Sequence, residues 1–223
     1  ERLFFENPKE SSASLPKLMA KLAPGATAQD LWTPVGLKAA WNADAVTFTI
    51  ALRRLANFGG APNGFDSMMA DLYLDLNHLT GRGSTNLLPG RRGFVIAKDA
   101  WEYAIVVTGW SAGLYRSLPD QPPIFVEPLT LKVSLAAGEL RIAVPRKLLR
   151  GNPAAWGYLL VTLASDQDLG ARTPPLPLPG ENGNPVLGML GSLAEQKQLA
   201  QGQSVNGRLS AVRLEETADR PPR

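Results

Sequence analysis

Between Val46 and Arg53 the chain alternates without a break: Val46, Phe48, Ile50 and Leu52 stand against Thr47, Thr49, Ala51 and Arg53. A repeat of two is that of a pleated strand with one face buried, and a helix cannot present it to a single core. Val35, Leu37, Ala39 and Trp41 repeat the pattern upstream, and Asn42-Ala43-Asp44 supplies turn chemistry between the two runs. An antiparallel hairpin follows, and with it a requirement for a second layer to cover its apolar face.

Further runs supply that layer. Over Ala70–Asn77, Leu72, Leu74 and Leu76 point one way and Asp71, Tyr73 and Asp75 the other. Trp101–Thr108 is rich in strand formers. Leu129–Leu135 and Glu139–Val144 make a second hairpin around Ala137-Gly138, and Gly157–Ser165 is apolar enough for a strand buried on both faces. A Gly-rich loop, Thr80–Gly93, interrupts the series, and prolines make 172–185 irregular. Short helices are expected only at 17–22 and 193–201, and an edge strand at 208–214. The expected fold is all-β, an antiparallel β-sandwich with long loops and one or two short helices. The expected organisation is an arm over 1–34, the sandwich over 35–214 and a tail over 215–223.

Composition narrows the function. Twenty-three basic against twenty acidic residues leave a formal charge of +3, with basic residues clustered only in pairs. Nucleic-acid binding calls for a concentrated basic face, so no nucleic-acid partner is expected. No apolar run approaches the roughly 20 residues of a membrane-spanning helix. With no cysteine and one histidine, His78, thiolate chemistry is excluded, and no zinc site is expected, since zinc calls for several nitrogen or sulfur ligands. A Ser-His-Asp triad would need His78, and the chain has no G-x-S-x-G turn to present a nucleophile. The carboxylates Asp71, Asp75, Asp99, Glu102 and Glu127 carry no mark of paired acid–base work, so no enzyme activity is expected. Calcium is less easily dismissed than zinc. Asp71, Asp75 and Asn77 offer oxygen ligands, although their spacing is not that of an EF-hand loop.

Aromatic side chains remain as the means of binding. A sugar ring stacks its C–H face on flat rings, and Trp101, Trp110, Tyr103 and Tyr115 are the candidates, beside the core-packing role that such residues also fill. Trp110 and Tyr115 flank Ser111-Ala112-Gly113-Leu114, read as a loop, and so have the best prospect of exposure. Arg91 has two readings: tying the long loop down, which is favoured, or offering its guanidinium to a ligand.

The stretch Tyr73-Leu74-Asp75-Leu76-Asn77, then Gly81 through Arg91, then Asp99-Ala100-Trp101-Glu102-Tyr103-Ala104 and Gly109-Trp110 resembles the glucodextranase C-terminal domain family. These are DOMON-like, carbohydrate-binding-module-type β-sandwiches. The likeness continues through Val144-Pro145-Arg146-Lys147-Leu148-Leu149 and Trp156-Gly157-Tyr158, covering roughly 35–214. It implies a non-catalytic, extracytoplasmic domain, secreted, periplasmic or at the cell surface. Its partner would be a polysaccharide or envelope glycan; the Pro-rich arm and the Pro-rich 172–185 segment motivate the alternative of a structural or docking part in a surface-layer or outer-membrane protein assembly. One departure stands out: the acidic, Gly-rich opening usual in the family is replaced by Glu6-Asn7-Pro8-Lys9-Glu10-Ser11, which puts in doubt any metal held there.

Overall fold

A computed structural model describes residues 28–31, 33–89, 91, 94–164, 186–190 and 208–209. The segments expected to be helical at 17–22 and 193–201, the tail and Trp32 lie outside the described residues.

Among the described residues twelve strands run in the order β1 (Pro34–Trp41), β2 (Ala45–Leu52), β3 (Met68–Asp75), β4 (Phe94–Val95), β5 (Tyr103–Val107), β6 (Ala112–Leu118), β7 (Gln121–Pro128), β8 (Thr130–Ser134), β9 (Glu139–Pro145), β10 (Gly157–Ala164), β11 (Val186–Leu190) and β12 (Arg208–Leu209). One sheet has the order β1-β2-β9-β8 and a larger one β11-β10-β3-β5-β6-β7; β12 pairs with β4. Every pairing within the two large sheets is antiparallel, whereas β4 and β12 run parallel. The fold is thus the all-β sandwich that the two-residue periodicity requires. Helical structure among the described residues is confined to three 3₁₀ turns, Ala28–Leu31, Ala97–Asp99 and Pro153–Ala155.

The expected hairpin forms with Trp41 opposite Val46 and Leu37 opposite Ile50, and Asn42 Oδ1 accepts the amides of Asp44 and Ala45 in its turn. Val46, Phe48, Ile50 and Leu52 enter the space between the sheets, where Leu140, Ile142 and Val144 meet Leu72, Leu74, Ile105, Leu114 and Leu160. Leu31, at the end of the expected arm, is fully buried in this same core. Thr47, Thr49, Arg141 and Lys132 lie on the opposite side of the smaller sheet, which faces water.

The larger sheet is covered on both faces. Its second face carries Met69, Tyr73, Ala104, Val106, Tyr115, Leu159, Val161 and Leu163, and Leu87, Leu88, Val95 and Trp101 of the long β3–β5 connection pack onto it as a separate core. Every residue of β3 is therefore buried, and β10 lies inside the sheet between β11 and β3, as its unbroken apolar run requires. The Asp71–Tyr73–Asp75 side of β3, which alternation alone reads as an exposed face, is roofed by the connection. Burial of each large apolar anchor contributes roughly 1.5–3 kcal/mol, which offsets the entropy of ordering so long a segment.

β7 closes one edge of the larger sheet. It carries Pro122, Pro123 and Pro128, and Ile124, Phe125 and Val126 remain exposed on it.

Candidate functional site

The long connection is held down by a polar clamp. Arg91 grips Asp71 through two bonds, Nε to Oδ2 at 2.6 Å and Nη2 to Oδ1 at 3.1 Å, while its Nη1 donates to Pro89 O at 3.2 Å. The Tyr73 hydroxyl donates to Asp71 Oδ2 and accepts the amide of Leu88. Burial alone would lower the Arg91 pKa, but the Asp71 charge and hydrogen bonds outweigh it and hold the guanidinium firmly charged. Of its two readings, Arg91 thus fills the tie, with a carboxylate as its principal partner.

Trp101 belongs to the same clamp. Its indole Nε1 donates to Asn86 O at 2.8 Å, its ring meets Tyr73 edge-on at 5.2 Å, and its backbone exchanges two hydrogen bonds with Ser84. Gly83 makes this approach feasible: its φ is +83°, and a Cβ there would lie 2.5 Å from Trp101 O. With 1% of its surface exposed, Trp101 offers no open face to a sugar.

Tyr115 is not in a loop but in the middle of β6, where it is equally buried. Gly113 and Ser117 interrupt the apolar signal of that strand, and this hid it in the sequence. Tyr103 and Trp110 are both partly exposed, yet they stand at opposite ends of β5. Tyr103 packs against the core between the sheets. Trp110 sits in the β5–β6 turn, where Thr108 Oγ1 accepts the amides of Trp110 and Ser111. The candidate aromatic residues therefore do not line one groove.

The aromatic side chain that alternation did not single out is Phe125 of β7. It lies on the outer face of the larger sheet, 45% exposed, with its ring edge-on to Tyr115 at 5.4 Å. A Cβ on Gly113 would come within 2.8 Å of Phe125 Cε2, so the bare glycine lets the ring rest against the sheet. One side is thus supported by β6 while much of the ring meets solvent. The run Pro122-Pro123-Ile124-Phe125-Val126 was the available signal, since apolar residues on a proline-marked edge strand have an open side.

A third arrangement lies where β3 ends. Asp75 Oδ1 accepts the amides of Asn77 and His78 at 3.1 and 2.8 Å, and Asn77 Oδ1 accepts that of Leu79. Glu102 accepts the Leu76 amide and the Asn77 side-chain amide. Burial raises the Glu102 pKa, opposed by these hydrogen bonds and reinforced by the charge of Asp75. The three expected calcium ligands do not converge. Asp71 is committed to Arg91, and the four-residue step from Asp71 to Asp75 spans about 13 Å of strand. Asn77 is committed to Glu102 and Leu79.

Two stacked sheets, a clamped connection and a supported aromatic ring on an edge strand define a β-sandwich module. The model of the C-terminal binding module, SLH-like, of glucodextranase matches residues 26–174, and the chain belongs to that family. The match takes in β1 through β10, the clamp and Phe125. No curated protein matches the chain significantly. Among the described residues, no helix is long and apolar enough to cross a membrane.

Proposed function

We propose that this chain is a non-catalytic, extracytoplasmic attachment module that binds carbohydrate, in particular cell-envelope polysaccharide. Its membership of a binding-module family is the observation that carries the reading. Support also comes from Phe125, a ring braced by Tyr115 and Gly113 with much of its surface open. Such a platform suits the C–H face of a pyranose, where aromatic contacts add to plain area burial. Trp110, in the turn that leads into β6, is the second aromatic contact in this proposal. Tyr115 supports the Phe125 ring, whereas Trp101 and Arg91 tie down the β3–β5 connection instead of touching the ligand.

The test is co-sedimentation of the chain with insoluble α-glucan and with purified, protein-free envelope polysaccharide. Retention that Phe125→Ala abolishes supports the proposal. An absence of retention on either material, with retention on whole envelopes, would favour the alternative in which the module docks onto an envelope protein through Ile124, Phe125 and Val126.

A further inference from the structure

His78 is the sole histidine of the chain, and each of its ring nitrogens faces an oxygen. Nε2 lies 2.7 Å from the carbonyl oxygen of Ala155. A carbonyl only accepts, so Nε2 carries a proton and donates it. In the neutral ring this leaves the lone pair on Nδ1, which stands 2.8 Å from Asp75 Oδ2. His78 Nδ1 aside, that oxygen has no hydrogen-bond partner although the Asp75 side chain is only 2% exposed. The other Asp75 oxygen is already engaged by two backbone amides. A carboxylate of Asp99, also buried, completes a group whose donor atoms all lie within 4.8 Å of one another.

We propose that Asp75 Oδ2, His78 Nδ1 and an Asp99 carboxylate oxygen form a binding site for a divalent first-row transition cation, zinc above all. Imidazole with carboxylates suits such ions, whereas calcium prefers oxygen alone. Donors about 2.0–2.2 Å from a tetrahedral ion lie roughly 3.3–3.6 Å apart, so on metal entry Nδ1 and Oδ2, 2.8 Å apart, would separate slightly while the group, within 4.8 Å overall, closes around the ion. The Nε2–H bond to a backbone carbonyl is the support that metal-bound histidines commonly have: it selects the tautomer and orients the ring. His78 also holds a left-handed backbone, φ +53°. Three protein ligands leave a coordination position for water or a ligand hydroxyl. This inference does not depend on carbohydrate binding.

The rival is a plain ion pair, with a doubly protonated His78 bridging Ala155 O and Asp75. The two differ at one atom, so the ring nitrogens of this single histidine decide between them. The ¹⁵N-labelled chain, stripped with chelator, is titrated with zinc chloride and followed by long-range ¹H–¹⁵N spectra and calorimetry. The expected result is a single saturable zinc, an Nδ1 resonance moved to the metal-bound range and an Nε2 that keeps its proton. His78→Asn tolerates the left-handed backbone, and Asp75→Asn keeps an acceptor for the two amides; each should weaken binding by about tenfold or more. Ring resonances indifferent to zinc, an Nδ1 that stays protonated, or binding undiminished in both variants would overturn the proposal. Should Asp75→Asn not fold, His78→Asn and the wild-type spectra decide alone.

Discussion

Phe125 lays its ring across the neighbouring strand onto Gly113, occupying the place where any larger residue would put its Cβ. The backbone of Gly113 is not in the left-handed region, so it is the absent side chain, not conformational freedom, that matters here. Gly113→Ala should therefore push the Phe125 ring off its support while leaving the sandwich folded. Weakened co-sedimentation with polysaccharide, with an unchanged far-ultraviolet circular dichroism spectrum, is the expected outcome; undiminished binding would remove Phe125 from the proposed contact surface.

The Arg91–Asp71 pair is buried on both sides. Arg91→Met strands a carboxylate in the space under the long connection, at a cost of about 3–5 kcal/mol in urea denaturation. Arg91→Met combined with Asp71→Leu should recover a large part of that loss, since two matched apolar residues leave no bare charge. A double variant as unstable as the single one would mean that the pair itself, and not the unpaired charge, sustains the fold.

Gly83→Ala acts by a different route. A Cβ there meets the Trp101 carbonyl at 2.5 Å and must also adopt a φ of +83°. The strain amounts to about 1–3 kcal/mol. Its effect should concentrate in faster amide exchange between Ser84 and Trp101, because their backbones are bonded directly beside it.

Burial raises the pKa of Tyr73, Tyr115 and Tyr158 above the ordinary 10.0. For Tyr73 the Asp71 charge adds to this, and Arg91 opposes it. A folded pKa above the unfolded one means that the native state binds more protons in the interval between them. Their contribution to stability is complete below pH 10 and is lost as pH rises beyond it. In an alkaline titration their phenolate absorbance should appear together with loss of circular dichroism, in one cooperative step. Ionisation of all three before unfolding would contradict the packing described.

Much of the sandwich is legible in the sequence because β2, β3, β9 and β10 carry uninterrupted apolar patterns. Strands β6 and β7 escape notice for physical reasons. Gly113 and Ser117 thin the first pattern, and Pro122, Pro123 and Pro128 break up the second. Alternation also cannot say whether a polar-looking face meets water or another layer. Asp71, Tyr73 and Asp75 look solvated by that criterion, yet Arg91, twenty residues further along, neutralises Asp71 and lets the face be roofed. The aromatic candidates follow the same logic: Trp101 is buried as part of that roof and Tyr115 on the sheet face it covers, while Phe125, on an unremarked edge, stays open. His78 reads as an ordinary loop histidine because Asp99 and Ala155 come to it only through tertiary structure.

Proline has no amide hydrogen to offer. With Pro122, Pro123 and Pro128 along β7, a foreign strand approaching that margin finds a discontinuous row of donors, a poor template for zippering on. The exposed Ile124, Phe125 and Val126 are thereby presented as side chains without an adhesive backbone beneath them. Copies of the module that meet can then expose a greasy rim without fusing into a continuous sheet.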